Sequence, residues 1–422
     1  MKKIWILLLF FPLLCQCKNN HTNRSLENSP TVSESSEDEY GEDEPDGIIT
    51  IPLYASTSKV NNNLSEVASG IDFVLLDFDP PLPDDFHIDN IELSENHIFV
   101  ATMTDIKSYD RQGRYIRNIG SRGQGPEEYI NLIAPLQLDR AKELVYASDI
   151  NRHRVTVFRY DGAFEKAYPI MDPAPTIIDS SMIALRQTSY DRRLKPAPLI
   201  QFITHDGKGI KTLWSNYYPI SQKTEVVAFE TSPLWGYKDR FYYLEYGTDT
   251  IFRILGDSLV PARILTGDLK LTFMEHYLSL KTGRKLRIAI PITRYNAGIF
   301  ESNRMIIFRL FSEYERFFTV YNKVTQSIYR TRYSNPPLSL RGDTQWHDYF
   351  VDDMISGLNF NPQYQSMGKA MALIPAFEIY NKKKEILNFI EQHPSDKSAH
   401  LKKIVEEITE DHNSLMMIVT FK

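Results

Sequence analysis

The sequence predicts an all-β protein built from repeated four-stranded antiparallel units, and three observations point there. Short apolar runs succeed one another through most of the chain, as at 97–101, 144–147 and 305–309, with the length and β-branched or aromatic content of half-buried strands. Asp-Gly-type turns close hairpins at Asp110 to Gly113, Asp161-Gly162 and Asp206-Gly207, at steps of roughly 45 to 50 residues, the period of a propeller blade. Between the first two lies Gly-Ser-Arg-Gly-Gln-Gly-Pro-Glu-Glu-Tyr at 120–129. Glycine loosens strands and helices alike, and proline removes a backbone donor, so this stretch is a loop joining two β-units. Six such units arranged radially give a six-bladed β-propeller of four-stranded antiparallel blades, with a small C-terminal helical insertion.

The elements follow in order. Lys2 and Lys3 precede an apolar run at 4–14 that is too short for a bilayer and fits an export signal over residues 1–17. Cys17, with Leu14 three positions before it, is the candidate lipidation site; Gln16 is larger than the usual preceding residue, and Cys15 is the rival acceptor. Residues 18–47 are rich in Asn, Ser and Glu and end in an acidic run, which self-repels and reads as a disordered tether. The folded region, 48–422, opens with apolar runs at 48–53 and 73–76. Unit one takes strands at 91–93, 97–101, 106–109 and 115–119; unit two at 136–138, 144–147, 155–160 and 164–168. Unit three takes 176–178, 182–185, 200–204 and 211–214, and unit four 226–229, 241–244, 250–254 and 263–265. Unit five takes 297–300, 305–309, 317–321 and 327–332, and the sixth is spread over 346–350, 359–360 and 371–374. A helical insertion at about 376–410 follows, with Pro394-Ser395-Asp396 as a helix start and Leu401, Ile404, Val405 and Ile408 on one stripe. The unbroken apolar run at 415–421 reads as a buried strand that seals the ring beside the N-terminal strands, because an edge that apolar would aggregate.

Composition excludes several classes. A hydrophobic share of 42% and an aromatic share of 12% suffice for a globular core, and a net charge of −6 argues against nucleic acid, which calls for a basic face. Both cysteines lie in the first seventeen residues, so the folded part has neither a disulfide nor a thiolate site. The ten histidines form no His-x-His or His-Glu-x-x-His pattern, and there is no Gly-x-Ser-x-Gly elbow or Walker loop. Adjacent carboxylates such as Glu127-Glu128 or Asp352-Asp353 point apart in extended backbone. No cofactor or metal is expected.

The stretch 106–129, with its Tyr-Asp-x-x-Gly turn and Arg-Gly-Gln-Gly-Pro-x-Glu-Tyr loop, resembles the six-bladed β-propeller lipoproteins of Bacteroides-type bacteria, and the resemblance extends from Ile48 to Lys422. Glu127 stands where that family has glycine. The resemblance implies an exported outer-membrane or cell-surface lipoprotein, held to the membrane by its lipid alone.

Strand connections alternate between the two ends of a blade, so links between strands two and three share an end with links from strand four to the next blade. That gathers Arg122, Gln124, Glu127, Glu128 and Tyr129 with Asn151, Arg152 and His153, and with Tyr190, Asp191, Arg192 and Arg193. Tyr246, Thr248, Asp249, and Glu313, Tyr314, Glu315 and Arg316 join them. Such a mouth suits a polar, hydroxylated or anionic ligand, with arginine giving paired donors and tyrosine a flat face with a polar tip. Trp214, Trp235 and Trp346 are either core or sugar-stacking residues. The expectation is a monomeric, non-catalytic binding protein for a polar small molecule, glycan or envelope protein. A glycan hydrolase or lyase, and a protein-interaction scaffold using the helical insertion, are the alternatives.

Overall fold

A computed structural model describes residues 47–422 except 56, 58, 84–87, 133–135, 171–173, 187–197, 215–232, 245–247, 268–289, 292–297, 312–314 and 334–344. Its sheets are the six blades. Blade one is Ile88–Leu93, His97–Thr102, Ile106–Asp110 and Tyr115–Asn118, paired antiparallel in that order. Blade two is Gln137–Asp139, Leu144–Asp149, Arg154–Arg159 and Phe164–Pro169; blade three is Ala174–Ile177, Met182–Arg186, Pro198–Thr204 and Gly209–Trp214. In each the first strand lies innermost, at the channel.

Blade four starts at Leu234–Tyr237 and continues through Arg240–Leu244, Thr250–Leu255 and Ser258–Leu265. The expected first strand at 226–229 lies outside the described residues. Ile49–Ile51 pairs in parallel with Ser258–Leu265 and gives this blade a fifth, outer strand. Blade five is Ile299–Glu301, Met305–Phe311, Glu315–Asn322 and Ile328–Arg330, widened by Ile290–Pro291 and by Gln345–His347. Residues 345–347 therefore belong to blade five, and Phe350–Val351 pairs with Asn359–Phe360 and, through Val351, bridges to Asn63. The inner strand of blade six is instead Tyr364–Ser366, followed by Lys369–Ile374 and Leu415–Phe421. Ala68–Leu75 completes it as the outermost strand, pairing Ala68 with Phe421 and Leu75 with Leu415. The ring thus closes with one N-terminal and three C-terminal strands in one sheet, as expected, while the earliest strand braces blade four.

Among the described residues the buried apolar side chains form six clusters, one at each junction between neighbouring blades. Alternation along each strand sends successive side chains to opposite neighbours. Leu415, Met417, Val419 and Phe421 face the blade-five junction, whereas Met416 and Ile418 face blade one. That two-sided burial is why 415–419 is apolar without interruption. The blades also meet at turns. Gly113, at φ +88°, presses on the Leu75 carbonyl, which a Cβ there would approach to 2.2 Å; only glycine fits.

Three helices interrupt blade six between its second and third strands: α1 (Ala376–Asn381), α2 (Lys383–Gln392) and α3 (Asp396–Glu407). Ser395 caps α3 by accepting from the Ser398 N–H at 3.0 Å, and Ser398 returns the bond to Ser395. Leu401, Val405 and Ile408 bury against blade six with Ile386 and Ile390 of α2, so the insertion thickens one rim of the ring.

Candidate functional site

The structure brings together the loop at 120–129 and the link at 150–153, as the alternation of connections requires, and the two consume one another's polar groups. Arg152 donates through Nη1 to the carbonyls of Gly125 (2.6 Å) and Glu128 (2.9 Å) and through Nη2 to that of Gly123 (3.2 Å). Arg154 donates to the Glu128 carbonyl as well. The Glu128 carboxylate turns back to accept from the Gly125 N–H at 2.6 Å and occupies the space a Cβ at Gly123 would need. Arg122 Nε donates to the Ile130 carbonyl at 3.2 Å, and the Asp149 carboxylate accepts from the Ile130 N–H at 2.9 Å. Tyr129 is buried edge-on to Phe158, and burial pushes its phenol well above the ordinary value. Of the expected rim residues, Arg122, Gln124, Glu127, Asn151 and His153 keep exposed side chains. Arg192 and Arg193 lie outside the described residues, as do Tyr190, Asp191, Tyr246, Glu313 and Tyr314.

Blade five carries a buried charge cluster at this same end. Asp348, fully buried, lies 2.9 Å from Arg316 Nη2 and 3.3 Å from Arg309 Nε. Beside it His347 accepts at Nδ1 from the Tyr333 N–H at 3.0 Å, with the Glu315 carboxylate 3.9 Å from Nε2. Burial holds His347 below the usual imidazole value, against the opposing pull of Glu315.

The central channel offers a different arrangement. A cavity of about 570 Å³ is lined by Glu92, Gln137, Thr176, Trp235, Glu301 and Gln365, one from the innermost strand of each blade. Arg140, Lys238, Asn303 and Met367 also line it, and all four lie in turns between first and second strands. The cavity therefore opens at the end opposite the expected rim.

Its two carboxylates are held differently. Glu301 Oε1 accepts from Arg263 Nη2 (2.7 Å) and Lys323 Nζ (2.6 Å), and Oε2 from Arg263 Nη1 (2.9 Å) and Trp235 Nε1 (3.0 Å). Arg263 stacks 4.2 Å above the Tyr242 ring. Burial pushes the Glu301 carboxyl up, but Arg263 and Lys323 outweigh it, and the group sits below the ordinary carboxylate range. Glu92 Oε2 accepts from Arg140 Nη2 (3.0 Å) and Ser366 Oγ (2.6 Å). There burial outweighs Arg140, and the carboxyl sits above its usual range. Tyr237, half-buried, donates to Asn303 Oδ1 at 2.7 Å, with Lys323 Nζ 4.1 Å and Lys238 Nζ 5.6 Å from its ring. Trp235 is buried and pinned by Glu301, whereas Trp214 is half exposed; the Trp346 side chain lies outside the described residues. Among the described residues no group of three or more His, Cys, Asp or Glu converges as a metal site, and no helix is long and apolar enough to cross a membrane.

Sequence reasoning missed Glu92, Arg140, Lys238 and Glu301. The only signal for the two glutamates is a carboxylate in the apolar first strand of a unit, as in Ile91-Glu92-Leu93 and Phe300-Glu301, and Arg140 and Lys238 carry none.

Fold and site together define a six-bladed propeller with a polar, charge-lined central channel. The chain belongs to the family described as domain of unknown function DUF4934, whose model matches residues 48–420. No protein of curated function matches it. Among solved structures, a protein from Bacteroides fragilis described as exported is 14% identical and superposes with a TM-score of 0.59 over 89% of this chain and 100% of that one. A member of the DUF4221 family from Bacteroides vulgatus is 12% identical, with a TM-score of 0.45 over 86% of this chain and 99% of that one. The first of these shares the propeller fold.

Proposed function

We propose that the protein is an exported lipoprotein of the cell envelope, anchored through Cys17, whose propeller binds a small polar ligand in its central channel without transforming it. The observation that carries this reading is the 570 Å³ cavity to which every blade contributes a side chain. That volume is typical of small-molecule sites, and such sites combine apolar walls with a few convergent polar groups. Glu301, bonded at both oxygens by three partners, serves as a fixed part of the wall. Export is supported by the Lys2–Lys3 and 4–14 signal pattern and by the Bacteroides fragilis protein of the same fold described as exported, and anchoring by the place of Cys17 at the end of that pattern alone. The ligand site in this reading is the channel. The 120–129 loop and Arg152 act as a brace between blades one and two.

A thermal-shift screen of polar metabolites tests it, since a ligand that binds only the native state raises the melting temperature. A hit should lose its shift in Gln137→Trp, which fills the channel, and keep it in Arg122→Ala at the opposite rim. The reverse pattern would place the site at the rim. Cys17→Ala should release the protein from membranes; retention there would refute the lipid anchor.

A further inference from the structure

We propose that the channel ligand is a neutral pyranose sugar whose apolar ring face rests on Phe241 and whose hydroxyl groups turn to the polar wall across the channel; this rests on the channel reading above. Most of the lining comes from first strands and the turns that follow them, but Phe241 lies on the second strand of blade four, where it pairs with Gly236 of the first. Gly236 has no side chain to stand between that ring and the channel. A Cβ there would meet Phe241 Cε1 at 3.2 Å, Cδ1 at 3.6 Å and Cζ at 3.7 Å, so the ring leans over the glycine and into the lining.

Three other aromatic rings line the cavity, and each is already engaged. Trp235 stacks on Tyr242 and donates to Glu301, Tyr237 carries the Lys323 ammonium 4.1 Å from its ring, and Phe421 is buried edge-on to Phe300. Phe241 is half-buried and, among the described residues, has neither ring nor cation against it. An uncovered ring of this kind is a platform for an apolar face. In a ring of six blades the fourth stands opposite the first, so across the channel from Phe241 lie Glu92, Gln137, Gln365 and Ser366 of blades one, two and six. Gln365 Oε1 has no hydrogen-bond partner among the described residues, and a ligand hydroxyl would supply its donor.

Charge favours no ion. The lining carries two cations, Arg140 and Lys238, and two carboxylates, Glu92 and Glu301, beside the neutral amides and hydroxyls of Gln137, Thr176, Ser302, Asn303, Gln365 and Ser366. A pyranose answers that set, with an apolar face, a rim of hydroxyls and no charge. A planar aromatic ring would cover Phe241 equally and leave most of the polar partners unanswered.

Isothermal titration of the mature protein with glucose, galactose and mannose, beside glucuronate and glucosamine, tests the assignment. At least one neutral hexose should bind more tightly than both charged sugars. Phe241→Leu, which keeps an apolar side chain in the blade, should weaken that binding about three- to tenfold, the worth of one ring contact, and Phe241→Tyr should restore it. Gly236→Val, which fills the space the ring leans into, should weaken it as well, whereas Arg122→Ala at the far rim should leave it unchanged. Tighter binding of glucuronate or glucosamine would overturn the neutral sugar. Hexose binding lost in Gln137→Trp but untouched by Phe241→Leu would overturn the platform while leaving the channel as the site, and binding untouched by both would overturn the channel itself. Failure of all three hexoses to bind would overturn the sugar assignment alone.

Discussion

The two ends of the propeller both carry arginines beside glutamates, yet they do opposite things with them. At the end built from the 120–129 loop, Arg152 spends its guanidinium on the carbonyls of Gly123, Gly125 and Glu128, and Glu128 folds back onto its own loop. At the other end, among the described residues, Arg140 Nη1 has no acceptor and the Lys238 ammonium meets only the Tyr237 ring, and both residues line the cavity. The difference lies in the backbone. A glycine-rich loop leaves carbonyls unpaired by any strand ladder, and such groups need donors when a neighbouring blade packs over them. Tight turns between first and second strands close on their own backbone, as from the Ser94 N–H to the His97 carbonyl and the Ser302 N–H to the Met305 carbonyl, and call on fewer donors from outside, Arg140 at Leu93 and Lys323 at Ser302. Polar residues at a propeller mouth are thus informative only once their backbone surroundings are known.

Substitutions at each end sharpen the contrast. The largest effect belongs to Glu301→Gln, which removes the buried carboxylate bonded to both Arg263 and Lys323 and should cost about 3–5 kcal/mol in urea unfolding. Arg152→Ala should follow at about 2–3 kcal/mol, since three carbonyls lose a charged donor; a loss that small-molecule binding in the channel does not register would confirm a bracing role. His347 adds a pH dependence. Its folded-state pKa is held below the unfolded value, first by burial, so its contribution is complete above the unfolded value of about 6.5 and is lost as pH falls below it. His347→Gln should flatten that acid limb of the stability curve. Lys238→Gln should change stability by less than about 0.5 kcal/mol, as expected for an exposed side chain with one distant ring contact.

Much of the fold was legible in the sequence because blades one to three announce their outer hairpins with Asp-Gly turns and their strands with regular spacing. The closing strand was legible for a stronger reason: 415–421 must bury both faces, and its seven residues carry one polar side chain. Blade six failed at its inner strand. Tyr364–Ser366 is three residues, Tyr-Gln-Ser, because a channel-facing strand is short and half polar, while Trp346 and its neighbours join blade five in a parallel pairing that no local pattern encodes. Blade four hid its inner strand at Leu234–Tyr237 behind a glycine. The alternation of connections correctly grouped the 120–129 loop with Asn151, Arg152 and His153. It could not show that Arg152 and Glu128 are bonded inward, since hydrogen-bond partners more than twenty residues apart leave no trace in spacing. The channel residues stayed hidden because each is a single polar position in a different blade, joined only by closure of the ring.

Hydrogen–deuterium exchange with and without a saturating hit from the thermal-shift screen tests the central claim most directly. Slowed exchange at 234–241, 301–305 and 365–369, with 120–131 and 150–154 unchanged, is the predicted result. Protection confined to 120–131 and 150–154 would contradict it and return the binding site to the glycine-loop rim.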